Sequence, residues 1–135
     1  MSLPLEAEIR VVSDLELYPL ATEFIRRWAE DNEIPRRAQL NGLLGYADDW
    51  KDLNKFVDHQ SRKETASYAP FYKALKRELS KVDQVGKRLA DCHKEARAGG
   101  IDQPPILSTL GRLFILHLTS EAFFLEPPTR GRSRQ

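Results

Sequence analysis

The amino-acid sequence predicts an all-α fold, a compact bundle of about five helices. Over most of the chain, apolar residues recur at steps of three and four positions, which is the period of an amphipathic helix. Prolines stand between these segments or in their first turns, where helices tolerate them. No segment alternates apolar and polar residues over more than a few positions, as a half-buried strand would.

Length and composition fit one domain. The chain has 135 residues, of which 41% are hydrophobic, and this suffices for one core without disulfide bonds. We assign residues 1–126 to the domain and expect residues 127–135, which include three arginines, to be a basic disordered tail. No apolar run approaches the roughly 20 residues of a membrane span. The N-terminus lacks a signal-peptide pattern, and the single cysteine cannot form an internal bridge, so we expect a cytoplasmic protein.

The first third of the chain is expected to begin with an irregular segment and one helix. Residues 1–13 are interpreted as extended chain or a docking arm, and the helix then begins with Ser13 or Asp14 as its N-cap. Pro19 falls in its first turn, where a missing N–H does no harm, and residues 32–35 end it. Its apolar stripe consists of Leu17, Leu20, Ala21, Phe24, Ile25 and Trp28.

Two shorter helices are expected next. The second helix spans about residues 35–47, and its Gly42 and Gly45 are interpreted as marks of close contact between helices, because glycine weakens a helix by about 1 kcal/mol relative to alanine. Asp48 or Asp49 can cap the third helix. The inward positions of the third helix are Trp50, Leu53, Phe56, Val57 and Gln60.

The second half of the chain is expected to hold the two longest helices. One spans about residues 70–97 and stops at the glycine pair 99–100. The other follows the proline pair 104–105 and ends before the proline pair 127–128. Because it is apolar on most sides, this last helix is predicted to be the central or capping helix of the bundle.

The sequence contains no pattern typical of an active site or a metal centre. Its three histidines, His59, His93 and His117, lie more than twenty residues apart, and Cys92 and His93 would point about 100° apart on a helix. There is also no nucleophile elbow and no glycine-rich phosphate loop. We therefore expect no catalytic residues, no cofactor and no metal, with Cys92 as a small core residue and His117 as a hydrogen-bonded, buried or interface histidine.

Charge is distributed unevenly along the chain. Residues 1–50 hold five Arg and Lys against ten Asp and Glu, whereas residues 51–97 hold twelve against seven. Rows of Lys and Arg on helices can neutralise a sugar–phosphate backbone, and Tyr46, Tyr68 and Tyr72 lie among them and could stack on bases. The candidate nucleic-acid-binding residues are Arg36, Arg37, Gln39, Lys51, Lys55, Arg62, Lys63, Lys73, Lys76, Arg77 and Lys81.

Residues 34–80 have a recognisable order of motifs. An exposed helix start, residues 34–37, is followed by Gln-Leu-Asn-Gly-Leu-Leu at residues 39–44. Asp-His-Gln-Ser-Arg-Lys comes next at residues 58–63, and a polar loop then leads to an aromatic-opened helix at Phe71. This order resembles the small helical subunit of type III CRISPR effector complexes. In that family a Ser-x-Gln-Leu-Arg-like helix start precedes an apolar helix, a second short motif, a loop and an aromatic-opened helix.

The resemblance implies a non-catalytic protein that stacks along guide and target RNA and touches their backbone, in contact with other subunits of a ribonucleoprotein. Arg36, Arg37 and Gln39 match the helix-start motif, and Arg62 and Lys63 match the basic end of the third helix. Asn41 departs from the family pattern, which usually has a basic residue there. The acidic first third would meet a basic neighbour, and oppositely charged ends would suit head-to-tail self-association.

Two other functions remain open at this point. One is a protein–protein adaptor without nucleic acid, whose contact surface would combine Phe123 and Phe124 of the last helix with the N-terminal arm. The other is a helix-turn-helix DNA-binding protein, although Pro35 leaves only a tight, glycine-free turn between its two helices. That protein would insert Arg36, Arg37, Gln39 and Asn41 into a groove.

Overall fold

Helices account for most of the residues that the structure, a computed structural model, describes, namely 4–63, 65–92 and 103–125. Within these ranges there is no strand, so the predicted all-α bundle is confirmed. The predicted helix end near residue 97, the glycine stop, His93 and the basic tail lie outside the described residues, as does the side chain of Cys92. The elements are α1 (Leu5–Val12), a π-helical turn (Ser13–Leu17), α2 (Tyr18–Asp31), α3 (Arg37–Gly45), α4 (Trp50–Ser61), α5 (Ala69–Cys92) and α6 (Gln103–Leu125).

The N-terminal segment is helical, so the prediction of extended chain over residues 1–13 is wrong for its described part. Residues Leu5–Val12 form α1, and Val12, Ser13 and Tyr18 all keep α-helical backbone angles. The chain therefore continues as one helical rod into α2, and neither Ser13 nor Asp14 acts as an N-cap. Two physical features favour this helix: acidic residues stand in its first turn, and an apolar face continues through it to buried Val12.

The π-helical turn lies immediately before Pro19. The Tyr18 N–H donates to the Ser13 carbonyl oxygen, five residues back, which widens the helix by one residue. Proline has no N–H to donate, and its ring would crowd the carbonyl of the preceding turn, so a wider turn accommodates it. The insertion also buries Ser13, whose Oγ forms a hydrogen bond of 2.8 Å with Nε2 of His117 on α6. His117 is thus hydrogen-bonded and half-buried, as predicted.

Helix α6 occupies the centre of the bundle, as its apolar composition predicts. It packs against α2, α3, α4 and α5, and its Leu110, Phe114, Ile115 and Leu118 are fully buried. Burying each such side chain contributes about 1.5 to 3 kcal/mol. No helix within the described ranges is both long and apolar enough to cross a membrane.

Close approach between helices occurs at Gly86 and Gly111, and the prediction for Gly45 is wrong. A Cβ at Gly45 would meet no atom within 4 Å, and one at Gly42 would only touch Phe56 at 4.0 Å. A Cβ at Gly111 would lie 2.8 Å from Cε3 of Trp50, and one at Gly86 would overlap Leu107. Periodicity places a glycine on a helix but does not show which neighbour approaches it.

The cap of α4 follows the sequence pattern. The Asp49 side chain accepts a hydrogen bond of 3.0 Å from the backbone N–H of Asp52, and the Trp50 N–H donates to Ser108 Oγ at 2.9 Å. These bonds satisfy two of the free N–H groups at the helix start. Helix α4 is thereby fixed against both the preceding loop and α6.

The packing at Gly111 predicts opposite effects for two alanine substitutions. Gly111→Ala should lower the free energy of unfolding by roughly 1 to 2 kcal/mol, because the indole of Trp50 is rigid and must move. The matched control Gly45→Ala should raise it by up to about 1 kcal/mol, because its methyl group enters open space. Urea unfolding followed by circular dichroism measures both. A Gly111→Ala protein as stable as Gly45→Ala would contradict the described contact.

Burial of His117 predicts a pH-dependent stability. Burial lowers the pKa of His117 below its usual 6.5, and the nearby carboxylate of Asp14 only partly opposes this. The unfolded chain therefore binds more protons just below pH 6.5, so stability is complete above that pH and falls as the pH drops through it. His117→Gln should flatten this part of the profile, measured as the free energy of unfolding against pH. An unchanged profile in the His117→Gln protein would contradict the assignment.

Candidate nucleic-acid interface

Helices α4 and α5 are packed neighbours, and residues 62–63 and 65–68 belong to the loop between them. Each presents lysine or arginine side chains to solvent, with Lys51 and Lys55 one turn apart on α4 and Lys73 and Arg77 one turn apart on α5. Apolar residues at helical spacing turn the opposite side of each helix toward the core, which fixes these cations on the outside. Two of the predicted basic rows therefore lie on adjacent helices.

A single carboxylate connects the two rows at the protein surface. Asp58 on α4 forms ion pairs with Lys76 of α5, Nζ to Oδ1 at 2.7 Å, and with Arg62, Nη2 to Oδ2 at 3.0 Å. The hydrogen bond from Lys76 is the main cause that lowers the pKa of Asp58; desolvation opposes it, and the charge of Arg62 lowers the pKa further. One negative charge between two positive ones leaves a net positive charge and holds both cations next to the boundary between the helices.

Toward the later turns of α5, positive charges are compensated locally. Lys81 lies 3.4 Å from the carboxylate of Glu78, and Lys87 lies 3.2 Å from that of Asp83. Arg88 forms an ion pair with Glu16 of the π-helical turn. Lys81 is therefore compensated within its own helix, as Lys76 is by Asp58 of α4, and the uncompensated charge of the α5 candidates lies at Lys73 and Arg77.

Among the candidates on α4, on α5 and in the loop between them, five make no ion pair with any residue in the described ranges. All are exposed and belong to α4, to the loop that follows it or to the first half of α5. We call this set the cationic face; it consists of Lys51, Lys55, Lys63, Lys73 and Arg77. A row of exposed, uncompensated cations on two adjacent helices is suited to binding a polyanion.

The candidates at the start of α3 have different surroundings. The Arg37 guanidinium lies over the ring of Phe123, 4.3 Å from its centroid, and Gln39 Oε1 accepts a hydrogen bond of 3.1 Å from the Tyr72 hydroxyl. Both side chains thus make contacts that hold α3 against α5 and α6. Arg36 is the N-cap residue of α3 and is exposed to solvent.

One of the three tyrosines predicted to stack on bases is unavailable. Tyr72 is fully buried, and this burial raises the pKa of its hydroxyl. Its position is in register with the apolar residues Leu75 and Leu79 of α5, a signal already present in the sequence. Tyr68 is half-buried, whereas Tyr46 is 49% exposed and stacks one ring face on Phe56 at 4.5 Å.

The structure also reveals a cleft that the sequence did not predict and an apolar surface that it predicted only in part. The first is a cleft of about 810 Å³ between the α2–α3 loop and the α4–α5 loop, with Trp28, Tyr68 and Phe71 among its lining residues. The second is a strip of exposed apolar side chains on α1, the π-helical turn, the first residue of α2 and the end of α6. Tyr18 and Phe124 of this strip line one pocket. The side chains of this strip are Val11, Leu15, Tyr18 and Phe124. Phe124 and Val11, which lies in the N-terminal segment 1–13, belong to the contact surface that the sequence predicted for an adaptor, whereas Leu15 and Tyr18 do not. Phe123, also predicted for that surface, is half-buried beneath Arg37.

Comparison with known proteins yields no match: no family model, no curated protein and no solved structure is similar to this chain. Within the described ranges, no three His, Cys, Asp or Glu side chains cluster closely enough to hold a metal ion.

The ion pairs of Asp58 predict a gain-of-binding variant. Asp58→Asn removes the negative charge that holds Lys76 and Arg62, so both become available to phosphates. Affinity for single-stranded RNA should rise by roughly threefold to tenfold at low salt, because each added phosphate contact strengthens binding. Fluorescence anisotropy with a labelled oligonucleotide measures this change. The control Asp83→Asn frees Lys87 outside the cationic face and should have a smaller effect; an equal effect would count against this location of the interface.

Proposed function

We propose that this chain is a non-catalytic, RNA-binding subunit of a multi-subunit ribonucleoprotein, in which the cationic face holds the sugar–phosphate backbone. The observation that carries the proposal is the set of five exposed Lys and Arg side chains, unpaired within the described ranges, on α4, the following loop and α5. Asp58 joins the rows at the boundary between the helices, where Lys76 and Arg62 add to the positive charge.

The chemistry of this face favours backbone contact over sequence readout. Lysine ammonium groups are mobile point charges on flexible stems, well suited to phosphate oxygens but not to a particular base edge. Residues one turn apart on a helix are about 6 Å apart, so each side chain can reach a separate phosphate of an extended strand. Such binding is independent of sequence and weakens as salt increases.

The resemblance of residues 34–80 to type III CRISPR small subunits supports the identity of the nucleic acid as guide and target RNA. Arg62 and Lys63, which match the family's basic segment, adjoin the cationic face or belong to it. In this proposal the protein works in the cytoplasm beside larger subunits. Acidic residues of α1 and α2, such as Glu6 and Glu30, are exposed and would face a basic neighbour, a further copy of this chain included.

One observation favours a protein–protein adaptor as the second candidate. The strip of Val11, Leu15, Tyr18 and Phe124 exposes four large apolar side chains, with Leu15 70% and Phe124 79% accessible. Clustered exposed apolar residues are typical of protein interaction sites. A ribonucleoprotein subunit also needs such contacts, so the strip is compatible with both candidates and the RNA-binding test separates them.

The test of the proposed function is a double charge reversal with a matched control. Lys73→Glu/Arg77→Glu inverts the α5 part of the cationic face and should weaken binding of single-stranded RNA by at least about tenfold, because phosphate contacts are replaced by repulsion. Arg10→Glu/Arg27→Glu changes the net charge equally at exposed sites on α1 and α2 and should change affinity by less than about threefold. Fluorescence anisotropy gives both affinities.

Two outcomes would contradict the proposal. Equal losses in the two double variants would mean that binding follows net charge and not the cationic face. An absence of RNA binding by the unmodified protein at low salt, with native circular dichroism, would leave the adaptor as the better account.

A further inference from the structure

The cleft between the α2–α3 loop and the α4–α5 loop combines an aromatic lining with acceptor groups. The rings of Trp28 and Phe71 meet edge to face in it, with centroids 5.5 Å apart, and the half-buried ring of Tyr68 is a further lining residue. The Trp28 Nε1–H donates to the Glu33 backbone oxygen at 3.0 Å, which holds the α2–α3 loop against the indole. At about 810 Å³, the cleft is large enough for a nucleotide.

Two carboxylates are among the polar residues of the cleft, beside Asn32, Arg36, Gln39 and Ser67, which carry donors. Asp31 and Glu33 both line it and make no ion pair with any residue that the structure describes. The cleft also adjoins the C-terminal end of α2, where the helix dipole disfavours a phosphate. An ionised carboxylate accepts hydrogen bonds through two oxygens. The side of the cleft formed by Asp31 and Glu33 therefore suits a flat group that presents adjacent donors.

One cation, Arg36, lines the cleft, and the cleft extends to the first turn of α5. Arg36 lines the cleft at the start of α3, and Pro70 lines it at the start of α5. Lys73 and Arg77 lie three and seven positions beyond Pro70, on the same side of α5. A strand bound along these cations reaches the mouth of the cleft at the first turn of α5.

From these observations we propose that the cleft is a base-binding subsite that receives one unpaired guanine of the bound RNA. This inference rests on the proposed function, since the strand on the cationic face delivers the base. The guanine ring packs against Trp28 and Tyr68, its N1–H and exocyclic amino group donate to Asp31 or Glu33, and its phosphate lies at Arg36. Guanine is the base whose Watson–Crick edge offers two adjacent donors to a carboxylate, and single-stranded bases are recognised by stacking and by that edge.

The subsite can be tested apart from the backbone. The sequence has two tryptophans, so Trp50→Phe leaves Trp28 as the sole fluorescent indole. In this background, guanosine monophosphate should quench Trp28 saturably and with at least about fivefold higher affinity than uridine monophosphate. Asp31→Asn/Glu33→Gln should abolish this difference. Tighter quenching by N-acetylarginine amide than by guanosine monophosphate would overturn the inference and assign the cleft to a basic side chain of a protein partner.

Binding of RNA then separates the two proposals. A ten-nucleotide oligouridine with one central guanosine should bind about threefold to tenfold more tightly than oligouridine alone. Asp31→Asn/Glu33→Gln should remove this ratio without weakening binding of oligouridine, whereas Lys73→Glu/Arg77→Glu should weaken both and keep the ratio. Tight binding of both RNAs without discrimination would overturn the subsite and leave the proposed function standing. Quenching by guanosine monophosphate without binding of either RNA would overturn the proposed function and leave the cleft as a nucleotide site.

Discussion

The burial of α6 is the constraint on which the rest of the structure depends. This helix is apolar on most sides, so it is stable only when other helices surround it, and α2, α3, α4 and α5 do so. Each surrounding helix has one apolar stripe, which turns its charged side outward. The positions of the cations on α4 and α5 are thus a consequence of core packing, because a side chain on the side of a helix opposite its buried apolar stripe is exposed to solvent.

Charge compensation then decides which of these cations remain available. The carboxylate that pairs with Lys76 lies on α4, and those that pair with Lys81 and Lys87 lie within about one turn on α5 itself. These carboxylates reduce the positive charge at Lys76 and along the later turns of α5. The five side chains of the cationic face make no ion pair with a carboxylate in the described ranges, so their positive charge is not compensated there. Surface ion pairs contribute little to stability, so their larger effect here is on where a polyanion can bind.

Much of the fold was predictable because helical periodicity and proline positions are local signals. The central position of α6 follows from its apolar periodicity, and the cap of α4 follows from the aspartates that precede its helical pattern. For His117 the sequence predicted a hydrogen-bonded, buried or interface side chain, but not its partner Ser13, which is 104 positions away. The π-helical turn before Pro19 was not predictable in the same way, since proline at a helix start and proline within a bulged helix look alike in sequence. The close approaches at Gly111 and the cleft beside Trp28 are formed by segments distant in the chain, which periodicity does not bring together. For the candidate site, sequence alone identified the basic residues but not which of them Asp58 and Glu78 compensate.

The salt dependence of RNA affinity tests the central claim most directly. Each phosphate contact to a single strand contributes about −0.7 to the slope of log affinity against log salt, so contacts by all five cations predict a slope of roughly −3 to −4. The measurement needs only the unmodified protein and an unstructured RNA, followed by anisotropy over a range of salt concentrations. A slope in that range would support backbone binding by the cationic face. A slope near zero would contradict it, since binding would then depend on contacts other than phosphate neutralisation.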